Sequence, residues 1–258
     1  MHDVLADLEA EHTDLEGLVA GLTDNELDAM TPAEPWTIRD QIGHLAFFDE
    51  MAAVSASDPE AFVAELNSMA DLGERYMDQH LDRARAMTPS ELLHWWRTAR
   101  AGLLEAFSRC EPDERLVWYG PPMRAESAAT ARLMETWAHG LDIADTLGVV
   151  RPPTDRLFRI ADLGVRTFRF SYENRGLTAP DSRVRVALRG VTGNMRVWND
   201  AESDSITGPV EDFCMVVAQR RNVTDTHLFC EGDLAHQWMK LAQVFAGPPG
   251  PGRSPTGN

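Results

Sequence analysis

A chain of 258 residues, 43% hydrophobic and 25% charged, has the composition of a folded globular protein and excludes the collagen-like, low-complexity and disordered classes. Its net charge of −17 and pI near 4.8 repel phosphate backbones and anionic lipid, so neither nucleic acid nor a membrane surface is an expected partner. No apolar run is long enough to span a bilayer, and the acidic, amphipathic first eleven residues lack the basic start and apolar stretch of a signal peptide, which makes cytoplasm the expected compartment.

In chain order, the first 147 residues read as one helix after another. Val4, Leu8, Leu15, Leu18 and Leu22 recur at helical spacing. Pro32 and Pro35 mark a turn-rich stretch over 31–36. Thr37, with Asp40 three residues on, then opens a second helix through Ile38, Ile42, Leu45 and Phe48 to about Val54. Asp58-Pro59-Glu60 supplies a cap, a proline at the first helical position and an acidic first turn for a third. Thr88 and Glu91 fit the T-x-x-E capping box of a fourth, which carries Leu92, Leu93, Trp96, Leu103 and Phe107. Beyond Gly120-Pro121-Pro122 a last helix is predicted over about 127–147. Helices of this length with short connections predict an α-helical, antiparallel up-down bundle over 1–150.

Arg151-Pro152-Pro153 reads as a linker, and the pattern changes after it. A helix is predicted over about 155–170, strands over 183–188, 195–198 and 204–207, a helix from Pro209 to about Arg221, a short strand over 228–230 and a helix over 234–245. Gly190 to Gly193 reads as a turn between strands, since no phosphate-loop motif follows. The second half is therefore a small α+β domain, 154–247, with a proline- and glycine-rich tail, 248–258, expected to be disordered. Cys110, Cys214 and Cys230 show no CxxC or zinc-knuckle spacing and read as reduced, buried thiols.

Chemistry concentrates on the last bundle helix. Glu135 and His139 stand four residues apart, so both project from one stripe, and Asp142 continues it. A carboxylate oxygen and an imidazole nitrogen so placed can share one divalent cation. A bundle can supply a third ligand from a facing helix, and His44 is the best candidate, with Gly43 beside it leaving room for a close neighbour. Two imidazoles and one carboxylate leave a coordination position open, as in catalytic zinc sites. Spacing alone leaves a second reading standing. The stripe lies opposite Leu133, Trp137 and Ala144, as a merely solvated face does, and His44 sits where a hydrogen-bonded core histidine is common. His12, His80 and His94 have no neighbour at ligand spacing, and Trp95, Trp96 and Trp137 read as core. Lys240 is the sole lysine, so the positive sites are guanidinium groups suited to carboxylates. Arg97, Arg100, Arg132, Arg220 and Arg221 are the candidates for substrate contact, against ordinary surface pairing and helix-end complementation.

Trp36-Thr37 leading to a helical His44-Leu45, then Glu135-x3-His139 near the end of the last bundle helix, resembles the DinB-like metal-binding bundles. More specifically, the whole chain resembles the mycothiol-dependent maleylpyruvate isomerase family. That resemblance implies a zinc ion held by His44, Glu135 and His139, mycothiol as cosubstrate, and a small electrophile undergoing isomerisation or S-transfer. It also implies a substrate-contacting arginine near Arg220 or Arg221. Asp142, one turn beyond His139, is expected either to orient that histidine or to face water. The GC-rich bias of the composition suits an actinobacterial origin. A monomer or homodimer is expected. A metal-dependent hydrolase and a non-catalytic metal- or thiol-binding protein remain alternatives.

Overall fold

Threonine caps set three helix starts in the N-terminal half. The computed structural model describes residues 1–73, 75–201 and 203–256. Its first elements are α1 (His2–Val19), α2 (Asp24–Leu27), α3 (Ile38–Ser57), α4 (Pro59–Leu72), α5 (Arg75–Arg85) and α6 (Pro89–Ser108). Thr23, Thr37 and Thr88 begin α2, α3 and α6, each in a reciprocal capping box with the acid three residues on. Such boxes satisfy donors that a helix start leaves orphaned. A two-stranded antiparallel pair, β1 (Arg115–Leu116) and β2 (Met123–Arg124), leads into the long α7 (Ala125–Leu147). Between Pro59 and Arg85 the chain forms two helices where the sequence indicated one, because Gly73 ends α4 at a φ of 57° that disfavours any other residue.

Helix α3 packs against α4, α5, α6 and α7, and α1 against α6 and α7. Leu15, Ile42, Leu45, Trp96, Leu103 and Leu133 are fully buried. Trp95 and Trp137 are also core residues, as their spacing suggested. Gly43 marks the tightest approach, since a Cβ there would stand 2.4 Å from Ala84 Cβ on α5. Gly43→Ala is therefore expected to force α3 and α5 apart and cost about 1–3 kcal/mol. Urea denaturation measures this cost, and Ala84→Gly in the same chain should recover part of it.

The chain divides into two compact units, Met1–Arg151 and Pro152–Asn258. In the second, α8 (Leu157–Arg166) and α9 (Phe168–Glu173) replace the single helix expected there, with Thr167 leaving helical geometry between them. A four-stranded sheet follows in the order β4-β3-β5-β6. Strand β3 (Arg185–Arg189) pairs antiparallel with β4 (Met195–Trp198) and parallel with β5 (Ser205–Pro209), and β6 (Phe229–Glu231) pairs antiparallel with β5. Val186, Leu188 and Ile206 are fully buried, with α10 (Val210–Val217) packed on β3, β5 and α8. The helix expected to reach Arg221 stops at Val217, because Gln219 takes a φ of 57° and the Arg220 N–H folds back to Met215 O. A 3₁₀ turn (Val223–Asp225) and α11 (Asp233–Leu241) complete the unit. Residues 248–256 form no helix or strand, yet Gly250 O and Arg253 O accept from Arg175 and Asn222, and Asp225 accepts from Thr256 N–H. Among the described residues no helix is long and apolar enough to cross a membrane.

Candidate metal centre

Helix α7 is buried on every side from Leu133 to Ala144 apart from Glu135, which keeps partial exposure. The stripe of Glu135, His139 and Asp142 is thus no solvated face: His139 is 7% exposed and Asp142 0%. A helix enclosed all round has no water-facing side for polar residues to mark, which is why the helical wheel misleads here. What the stripe faces is α3. Arg132 meets Asp49, and His139 meets Gln41, so paired positions fall along one helix as they rise along the other.

Between those two contacts lie the candidate ligands. One donor atom each from His44, Glu135 and His139 lies within 4.8 Å of the others. His139 Nε2 is 3.1 Å from Glu135 Oε2, and the His44 and His139 rings are 4.7 Å apart between centroids. Trp36 stacks on the His139 ring at 5.8 Å and 12°, and lies 4.9 Å from that of His44.

A hydrogen-bonded chain orients His139. The Thr31 hydroxyl donates to Trp36 O at 2.7 Å, and its oxygen accepts from Gln41 Nε2 at 2.9 Å. With its amide nitrogen so engaged, Gln41 turns Oε1 toward His139 Nδ1. Nδ1 must then carry the proton, which leaves the Nε2 lone pair directed at the Glu135 carboxylate. Two acceptors 3.1 Å apart repel unless a proton or a cation lies between them. That separation is close to the roughly 3.3 Å between two ligands of a tetrahedral zinc ion with bonds of about 2.0–2.1 Å. The donor set fits a divalent cation.

The sequence reading had Asp142 either orienting His139 or facing water, and both ring nitrogens of His139 are taken up by Gln41 and Glu135. Asp142 stands one turn further along α7 and, being fully buried, does not face water either. Arg220 and Arg221 belong to the second unit, where each donates to a carbonyl of its own loop, Ala218 O and Arg220 O respectively, at 2.8 Å. Arg97 and Arg100 both pair with Glu16, tying α6 to α1. The three cysteines are free thiols, each pushed up by burial and poorly suited to act as nucleophiles.

Sequence reasoning missed Gln41 and Asp49 and set His80 aside for want of a neighbour at ligand spacing. His80 is buried on α5, 5.7 Å from the His44 ring and stacked on Phe47 at 4.7 Å. Asp49 is fully buried, accepts from Arg132 Nε at 2.9 Å and lies 3.7 Å from His12 Nε2. Burial pushes His12 down to about 4 despite that carboxylate. The unfolded chain therefore holds the additional proton between pH 6.5 and 4, and acid favours unfolding across that window. His12 should withdraw roughly 3 kcal/mol of stability between pH 7 and pH 4. Urea titrations at several pH values should show that slope in the wild type and a flatter one in His12→Leu.

The comparisons agree with this geometry. The model of the mycothiol maleylpyruvate isomerase N-terminal domain family matches residues 8–144, which contain all three candidate ligands. Two uncharacterized proteins of Mycobacterium tuberculosis, MT0041 of strain CDC 1551 / Oshkosh and Rv0036c of strain ATCC 25618 / H37Rv, are each 44% identical over 250 residues, 96% of this chain and 97% of theirs. The crystal structure of the mycothiol-dependent maleylpyruvate isomerase superposes with a TM-score of 0.59 at 15% identity, and that of its histidine-to-alanine mutant with 0.59 at 14%, each match covering 89% of this chain and 92% of the other. At such identity the likeness shows the fold. By the family match over its helical unit, this chain belongs to the mycothiol maleylpyruvate isomerase N-terminal domain family.

Proposed function

We propose that the protein is a metal-dependent enzyme of the maleylpyruvate isomerase type, using mycothiol to act on a small electrophile. His44, Glu135 and His139 would hold the ion, and zinc is the best match to their chemistry. The observation that carries this reading is the Thr31–Gln41–His139 chain, which aims a lone pair at a carboxylate, a pair of acceptors that a shared cation satisfies. When bound, a divalent ion lowers the pKa of a thiol that reaches it and makes a thiolate available at neutral pH. Gln41 keeps the His139 proton on Nδ1, and Trp36 packs on both imidazoles and restricts their rotation. Arg220 or Arg221 is proposed to hold a carboxylate of the substrate by paired hydrogen bonds. The partners are then small molecules, and neither nucleic acid nor membrane.

Purified protein supplied with mycothiol and maleylpyruvate, compared with His44→Ala, tests the proposal. Thiol-dependent conversion in the wild type that disappears in the variant supports it. Turnover of the electrophile without thiol would favour hydrolysis instead, and no turnover by a metal-loaded protein would favour a non-catalytic role. Either result overturns the reading.

A further inference from the structure

The second unit carries a concave face of its own. Strand β3 alternates, with Val186 and Leu188 buried and Arg185, Ala187 and Arg189 on the opposite face. Across that opposite face run two rows. Val197, Ala187, Thr207 and Phe229 are successive strand partners in one, and Met195, Arg189 and Pro209 in the next. His227 falls two pairs beyond the last pair of the β5–β6 ladder, opposite Pro209 in that register, and continues the second row. Apolar side chains on this face are strongly exposed: Met195 59%, Val197 50% and Phe229 65%. A cavity of about 550 Å³ lies over it, lined by Arg189, Met195, Thr207, Pro209 and His227 among others.

Its polar groups are held in place. Gly208 admits the neighbouring backbone, since a Cβ there would stand 3.0 Å from His227 O. The largely buried Asp212 accepts from the His227 backbone N–H at 2.6 Å and lies 3.2 Å from its ring Nδ1. Facing a carboxylate, Nδ1 carries the proton, and Nε2 is the nitrogen left for a ligand. Arg189 has no carboxylate partner among the described residues. The two positions stand two strand spacings apart, about 10 Å, a span that a long arginine side chain and a small ligand fill together.

We propose that this face binds a small carboxylate with a flat apolar body. Arg189 takes the carboxylate, the exposed apolar side chains take the body, and the Asp212-oriented His227 meets the far end. Charge complementarity favours this occupant, because a guanidinium with no carboxylate partner among the described residues is available in a chain of net charge −17. Phenylacetate is a suitable probe, titrated into the full-length protein while the His227 ring signals are followed by NMR. Saturable binding is expected, with perturbations confined to this face. Arg189→Gln should weaken it about tenfold, the loss of one charge-assisted contact, and His227→Gln should weaken it less. Both substitutions lie at the surface, and circular dichroism verifies the fold. A titration that does not saturate, or binding that Arg189→Gln leaves unchanged, overturns the proposal. So does a concentration-dependent dimer that perturbs the same residues, which would make a second copy the occupant.

Discussion

Arg132→Met should lower the unfolding free energy by about 3–5 kcal/mol, and Asp49→Leu by a similar amount. Arg132 is 4% exposed and Asp49 0%, and their 2.9 Å contact joins α7 to α3 in the interior. Removing one partner strands the other charge away from water, and that desolvation is the larger part of the loss. The double variant should therefore recover most of the stability lost by either single one, because no unpaired charge remains. Arg132→Lys should recover little, since an ammonium cannot reproduce the side-on guanidinium contact through Nε. Urea denaturation at pH 7 gives the four values, and single variants within 1 kcal/mol of wild type would refute the assignment. The consequence extends to the site. Arg132 lies seven residues before His139 on α7, and Asp49 five after His44 on α3, so this pair holds the register of the two helices that bring the candidate ligands together.

Gln41→Leu should lower divalent-metal affinity by 10–100-fold with little change in fold, the usual consequence of losing the partner that orients a ligating imidazole. Leucine matches the glutamine in size but offers Nδ1 no acceptor, so the ring is free to rotate and to exchange tautomers. Thr31→Val should act in the same direction and less strongly, because it removes only the group that turns the Gln41 amide. Competition with a chelator of known affinity, monitored for wild type and both variants, measures the effect. Equal affinities in all three would mean that the Thr31–Gln41–His139 chain does not orient a ligand.

Much of the fold was legible because capping is local. Thr37 with Asp40 and Thr88 with Glu91 announce their helices within four residues, and the alternation of 183–188 announces a buried strand. The breaks were less so. Gly73, Thr167 and Gln219 end or interrupt helices through backbone angles that their neighbours do not encode. At the candidate site, spacing paired Glu135 with His139, the bundle argument named His44 as the best third ligand, and the likeness to a known family strengthened that choice. Gln41 and Asp49 were invisible because their partners stand 98 and 83 residues away. The helical wheel of α7 pointed the wrong way for a related reason. It sorts residues by polarity on the assumption that one side meets water, and tertiary packing encloses this helix throughout.

Metal content is the most direct test of the central claim. Full-length protein purified without chelators, or reconstituted with zinc and then desalted, should hold one divalent ion per chain by elemental analysis, and His139→Ala prepared in parallel should hold essentially none. A wild type that retains no ion after loading, or a His139→Ala variant that retains as much, would contradict it.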